Sequence, residues 1–262
     1  MKKLLIAAAL MAALTTAAAA QNSRLPQASL DREVDVRVPA RAAVLGNPPR
    51  QHAPTEPSYC KPCLFYAGDF DSNASDANGL ANEFDVTISS GAAVYAPFIV
   101  PKGKTWRVLG LFTDNFMSTQ TLDPATSPYE IRKGIPAAGG SGGKLVCHGT
   151  LPATAIPTGL MGFGFNVYAV SVKGIRKCWL KEGKYWASVV PFCTNPNDSD
   201  CTNGWRSFET NDDGAMANHV GKPEPANMSF FNSVFFGATW SPSSNFQSSS
   251  RFSDGVIGTH KP

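Results

Sequence analysis

Between residues 60 and 240 the chain repeats one pattern: short runs in which apolar or aromatic residues alternate with polar ones. Phe163, Phe165, Val167 and Ala169 recur at period two, as do Trp106, Val108 and Gly110. A period of two places alternate side chains on opposite faces of a half-buried strand. On this pattern, strands are predicted at 64–70, 83–88, 94–100, 105–113, 144–147, 163–172, 185–192, 206–210 and 230–236. No twelve-residue stretch shows a convincing helical period.

Turn chemistry separates the runs. Pro101-Lys102-Gly103-Lys104 reads as a hairpin turn, with Pro setting φ and Gly supplying a positive one. Lys181-Glu182-Gly183-Lys184 reads the same way, and Gly139-Gly140-Ser141-Gly142-Gly143 as a flexible loop. Short strands joined by such turns predict an all-β fold, a two-sheet antiparallel β-sandwich of jelly-roll-like or immunoglobulin-like type. The sandwich spans residues 60–240. An extended Pro/Ala-rich lead or linker (21–59) precedes it and a polar C-terminal tail (241–262) follows.

Residues 1–20 change the biological setting. Lys2 and Lys3, the apolar run from Leu4 to Leu14, and the small residues Ala18 and Ala20 form a secretory signal pattern cleaved near Ala20. The apolar run is shorter than the ~20 residues a membrane span needs, so no transmembrane segment is expected. The protein is read as secreted, either periplasmic or extracellular. The chain carries a formal +3; without Lys2 and Lys3 this becomes 3 − 2 = +1. A near-neutral chain argues against a nucleic-acid partner.

Six cysteines, Cys60, Cys63, Cys147, Cys178, Cys193 and Cys201, suit an oxidising compartment and a disulfide framework. Cys193–Cys201 closes a polar loop and Cys147–Cys178 joins two strands, which leaves Cys60–Cys63 by elimination. A Cys-x-x-Cys also serves redox or zinc chemistry. The strand-like Leu64-Phe65-Tyr66 that follows favours the structural disulfide.

The segments PFIVPKGKTWRVLGLF (from Pro97) and LKEGKYWASVVPF (from Leu180) contain Val-Pro-x-Gly-x-x-Trp and Gly-x-Tyr-Trp. In these the chain resembles uncharacterised secreted bacterial β-sandwich proteins found in surface or polymer-associated contexts. The resemblance runs over about residues 64–240 and rests on turn and core residues. It implies a fold and transfers no catalytic residue.

Candidate chemistry is sparse. Gly139 to Gly143 matches G-x-S-x-G, but a nucleophile elbow needs a strand before the Ser and a helix after it. Here a strand follows, so a plain glycine loop is favoured, and His148 is not in the hydrolase order. Asp69, Asp71, Asn73 and Asp76 offer hard oxygen ligands on one loop, a candidate structural Ca²⁺ site without the EF-hand Gly and Glu. Asp69, Asp71, Glu130, Glu182 and Glu209 can each be drafted for sugar hydrolysis, but a sequence does not show the separation such a pair needs. Of the five tryptophans, Trp106 and Trp186 with Tyr185 sit in strand patterns and are assigned to the core. Trp205 and Trp240 lie closer to loops and, with Tyr129, are the candidate ligand-binding aromatics.

The functional expectation is a secreted, non-catalytic interaction module for carbohydrate or a cell-surface component. The alternatives are an extracellular hydrolase acting on a polymer and a structural envelope or matrix component. The oligomeric state is left open.

Overall fold

The computed structural model describes residues 57–71, 77–88, 91–211, 219–221, 228–246 and 251–261. The signal pattern, nearly all of the lead, and Asn73 and Asp76 of the candidate Ca²⁺ loop lie outside these residues. Among them the chain is mostly β, an antiparallel curled sheet with a small second sheet. The strands are β1 (Cys63–Tyr66), β2 (Gly79–Ala81), β3 (Phe84–Asp85), β4 (Ala92–Met117), β5 (Thr126–Lys133) and β6 (Lys144–Gly162). They continue as β7 (Phe165–Val189), β8 (Phe192–Cys193), β9 (Ser207–Thr210), β10 (Phe230–Ser233), β11 (Ala238–Pro242) and β12 (Asp254–His260). A four-residue helix, α1 (Ser199–Thr202), begins at Asp198, whose side chain accepts the Asp200 N–H.

The long path runs β1-β12-β4-β7-β5-β6, with β9 and β10 also on β4, β2 on β9 and β11 on β10; β3 and β8 form a separate parallel pair. The curl is visible in the register. The first part of β7 pairs with β6 (Ala155 opposite Val170) and its last part pairs with β5 (Ile131 opposite Ala187). Since β5 and β6 also pair with each other, the sheet turns back on itself. Buried inside are Phe98, stacked between Trp106 and Tyr185, and Ile131, Val170 and Leu180. Asn82, fully buried, links β4 and β7: its amide N–H groups donate to Val189 O (2.9 Å) and Asn115 Oδ1 (3.1 Å), and its Oδ1 accepts the Val94 N–H.

Two expected hairpin turns prove to be bulges and bends in continuous strands. Val100 faces Gly183 and Thr105 faces Lys181, so residues 101–104 of β4 oppose Glu182 alone. The Gly103 N–H donates to Glu182 Oε2 at 2.5 Å, which fastens the extra residues to β7. Pro-x-Gly chemistry supports a reversal and a bulge equally. The strand continues because residues 105–117 find the same partner again. A second bulge, residues 174–177, lies where Val108 faces Cys178 and Gly110 faces Lys173; Lys177 adopts a left-handed φ of 58° there.

The expected polar tail contains β12, which lies between β1 and β4. Its glycines permit the insertion: a Cβ on Gly255 would meet the Phe112 ring at 2.2 Å, and one on Gly258 the Arg107 carbonyl at 2.2 Å. The three disulfides, Cys60–Cys63, Cys147–Cys178 and Cys193–Cys201, are those expected, and no described cysteine is free. Among the described residues no helix is long and apolar enough to cross a membrane.

Candidate functional site

The candidate aromatics fall in three different environments. Trp205 is only 1% exposed and its indole N–H donates to the Thr121 carbonyl at 3.0 Å, so it is a core residue and not a loop surface. The Cys193–Cys201 disulfide closes the neighbouring loop, and both cysteines lie in the core cluster that contains Trp205. Tyr129, on β5, is also buried, against Gly149 of β6. Trp240, on β11, is half-buried but its ring is already engaged. The Arg132 guanidinium lies 4.5 Å over it, and Tyr95 packs at 4.6 Å.

The glycine loop explains this last site. A Cβ on Gly139 would lie 2.0 Å from the Trp240 carbonyl, and one on Gly142 would lie 2.4 Å from its ring. The Gly140 N–H donates to the Trp240 carbonyl at 2.9 Å. The G-x-S-x-G match is therefore a clasp around Trp240 that only glycine can form. The strand β6 follows it, and not the helix a nucleophile elbow requires. Glu130 completes the clasp, accepting from Arg132 Nε (2.6 Å) and the Tyr95 hydroxyl (2.8 Å).

The exposed tryptophan is Trp179, which the sequence reading did not select. Along β7, Cys178 and Leu180 point into the core, so Trp179 faces outward with Lys181. It is 49% exposed. Its register partner Arg107 lies with its guanidinium carbon 5.8 Å from the ring centroid. Trp106 and Val108, on either side of Arg107, are buried. The signal that would have found Trp179 was the alternation Lys177-Cys178-Trp179-Leu180-Lys181: a disulfide cysteine turned inward sends its neighbour outward.

A second constellation is entirely internal. Asp114 of β4, Tyr66 of β1 and Ser253 beside β12 meet below Phe112. The Tyr66 hydroxyl lies 2.6 Å from Asp69 Oδ1 and 2.8 Å from Asp114 Oδ2. The Ser253 hydroxyl lies 2.5 Å from the Gly68 carbonyl and 2.8 Å from Asp114 Oδ2. Each hydroxyl has one proton to donate. Tyr66 therefore divides one proton between Asp69 and Asp114, and Ser253 one between the Gly68 carbonyl and Asp114, while the Tyr59 hydroxyl also donates to Asp114 Oδ2 at 3.4 Å. Burial pushes the Asp114 carboxyl up to about 7, although the Tyr66 and Ser253 hydroxyls oppose the shift. Glu209 of β9 is fully buried and neither of its oxygens has a hydrogen-bond partner. Burial, then the nearby Asp254 and Asp114, hold it well above the usual carboxylate range.

Asp69, a candidate Ca²⁺ ligand, thus contributes an oxygen to this proton-sharing network, while Asp71 is half-buried beside it in sequence. Among the described residues no group of three or more His, Cys, Asp or Glu side chains is arranged to hold a metal. No protein-family model, curated protein or solved structure matches the chain.

Proposed function

We propose that the protein is a secreted, non-catalytic module that binds a carbohydrate or another cell-surface polymer through the outward face of β4 and β7 around Trp179. The observation that carries this reading is a half-exposed indole on a rigid, disulfide-anchored strand, flanked by Arg107 and Lys181. A flat aromatic face presented by a strand stacks on a sugar ring with little loss of side-chain freedom. In this reading β4 and β7 supply strands to both layers of a β-sandwich, and the three disulfides suit an oxidising extracellular or periplasmic location.

The hydrolase alternative has a specific basis in the carboxyls Asp114 and Glu209, which burial holds above the usual carboxylate range, since a raised pKa suits a general acid. Both have no exposed surface, so a polymer does not reach them in this conformation. The test is co-sedimentation of the protein with insoluble polysaccharides and cell-wall preparations, with released soluble sugar measured in the same tubes. Depletion without release, lost in Trp179→Ala but kept in Trp205→Phe, is the expected result. Release of sugar that disappears in Asp114→Asn establishes the hydrolase instead.

A further inference from the structure

The near-neutral total charge predicted no basic face, yet the fold gathers the cations. The stretch PKGKTWR of β4 holds three Lys or Arg residues and no acid, and KGIRKCWLKEGK of β7 holds five against Glu182. These stretches lie side by side: Thr105 faces Lys181 and Arg107 faces Trp179. The one acid accepts the backbone N–H of Gly103, so its charge is partly satisfied within the bulge. Lys102, Lys104, Arg107, Arg176, Lys177 and Lys181 are all exposed. Meanwhile Asp85, Asp114, Glu209 and Asp254 are buried elsewhere in the molecule.

The bulges make this concentration steric as well as compositional. Each inserts residues that have no partner across the ladder, and each carries two cations: Lys102 and Lys104 on one, Arg176 and Lys177 on the other. Trp179 lies on β7 between the second bulge and the Glu182 position that faces the first. Cations on such a face recur about 7 Å apart along a strand and about 5 Å apart between strands. They form an array and not a pocket, so it fits a repeating anionic chain better than one small anion.

Resting on the module reading above, we infer that the ligand is an acidic polysaccharide strand, with its sugar faces on Trp179 and its carboxylate or sulfate groups on the flanking Lys and Arg. Lysine predominates over arginine on the face, which suits dispersed single charges more than bidentate phosphate recognition. Of the exposed large apolar side chains only Trp179 lies on this face, Met161, Val234 and Phe235 being on other strands and turns, so the face offers one aromatic among cations and not the broad apolar stripe a lipid surface would engage.

Affinity electrophoresis or biolayer interferometry on the purified protein tests this with three probes: polygalacturonate, an uncharged α-glucan of matched length and a single-stranded oligonucleotide. Polygalacturonate binds, and its affinity falls at least about tenfold between about 50 mM and about 500 mM NaCl. Arg107→Gln/Lys181→Gln and Trp179→Ala each weaken binding about tenfold, while Lys61→Gln does not and Trp179→Phe restores most of it; unchanged melting curves exclude unfolding as the cause. Equal, salt-insensitive binding of both polysaccharides, still lost in Trp179→Ala, overturns the acidic ligand and leaves the module. Tighter binding of the oligonucleotide than of either glycan overturns the glycan assignment. Failure of every probe, together with the insoluble panel, overturns both.

Discussion

β4 passes through two opposite electrostatic environments within one strand. Over residues 101–107 it is bulged and largely exposed, with Lys102 and Lys104 in water and Arg107 beside Trp179. From Leu111 to Met117 every residue is buried, and Asp114 enters the network of Tyr66, Asp69 and Ser253. The difference shows how a chain of nearly zero net charge acquires polarity. Cations on flexible stems remain hydrated outside, whereas carboxyls such as Asp85, Asp114 and Glu209 are buried, where an unpartnered charge is costly. The buried end holds carboxyls whose raised pKa values couple stability to pH. The bulged end is free to carry binding.

The strongest way to separate the two ends is pH. An unfolded Asp ionises near pH 4, and burial moves Asp114 up to about 7. Between these values the folded protein keeps a proton that the unfolded chain has lost. Raising the pH through this window therefore removes stability, and the loss is complete above the folded value. Asp114 alone is expected to contribute about 4 kcal/mol at most, and Glu209 acts with the same sign. Denaturant melts at pH 5 and pH 8 check this: wild type is weaker at pH 8, and Asp114→Asn flattens the difference. A protein equally stable at both values breaks the contrast between the ends.

The next effect belongs to the bulged end's anchor. Cys147–Cys178 closes 31 residues of sequence and pins β6 to β7 just beyond the second bulge. Replacing both cysteines with serine is expected to cost about 3–4 kcal/mol by chain entropy. If the exposed face depends on this anchor, polymer binding falls as well. Calorimetry and binding on the same double variant read the two consequences.

Tyr66→Phe is a smaller change with a sharper meaning. It leaves the ring against Tyr59 and Phe112 but removes the hydroxyl shared by two carboxyls. A loss of about 1–3 kcal/mol is expected, with the pH dependence steepened and binding untouched. Altered polymer binding in this variant shows that the ends communicate. The smallest stability effect is that of Arg107→Gln/Lys181→Gln, expected within about 0.5 kcal/mol because both side chains are exposed. A larger destabilisation makes the basic face a structural feature.

Alternation and turn residues made the strand-rich fold legible, together with the pairing of all six cysteines and the burial of Trp106, Tyr185 and Trp186. Less legible were strands whose identity depends on neighbours. β5 carries Pro128 and Arg132, and β12 carries Gly255 and Gly258, residues with poor strand propensity that are chosen for close approach and cross-strand contacts. Loop-like sequence did not mean exposure either. Trp205 follows Asn-Gly, but a disulfide-closed loop and Thr121 hold it inside. The basic face was hidden because a charge total has no positions in it.

The placement of β12 has a consequence for how the molecule is made. Among the described residues β1 pairs with the strand β12, and β12 reaches across to β4, so the opening and middle of the described sheet are joined by its last described strand. Contacts of such long sequence separation form slowly, because loop closure must precede them. The sheet therefore stays open along β4 until residues 254–260 arrive. A chain cut before Asp254 leaves β1 and residues 106–113 of β4 without their β12 partners.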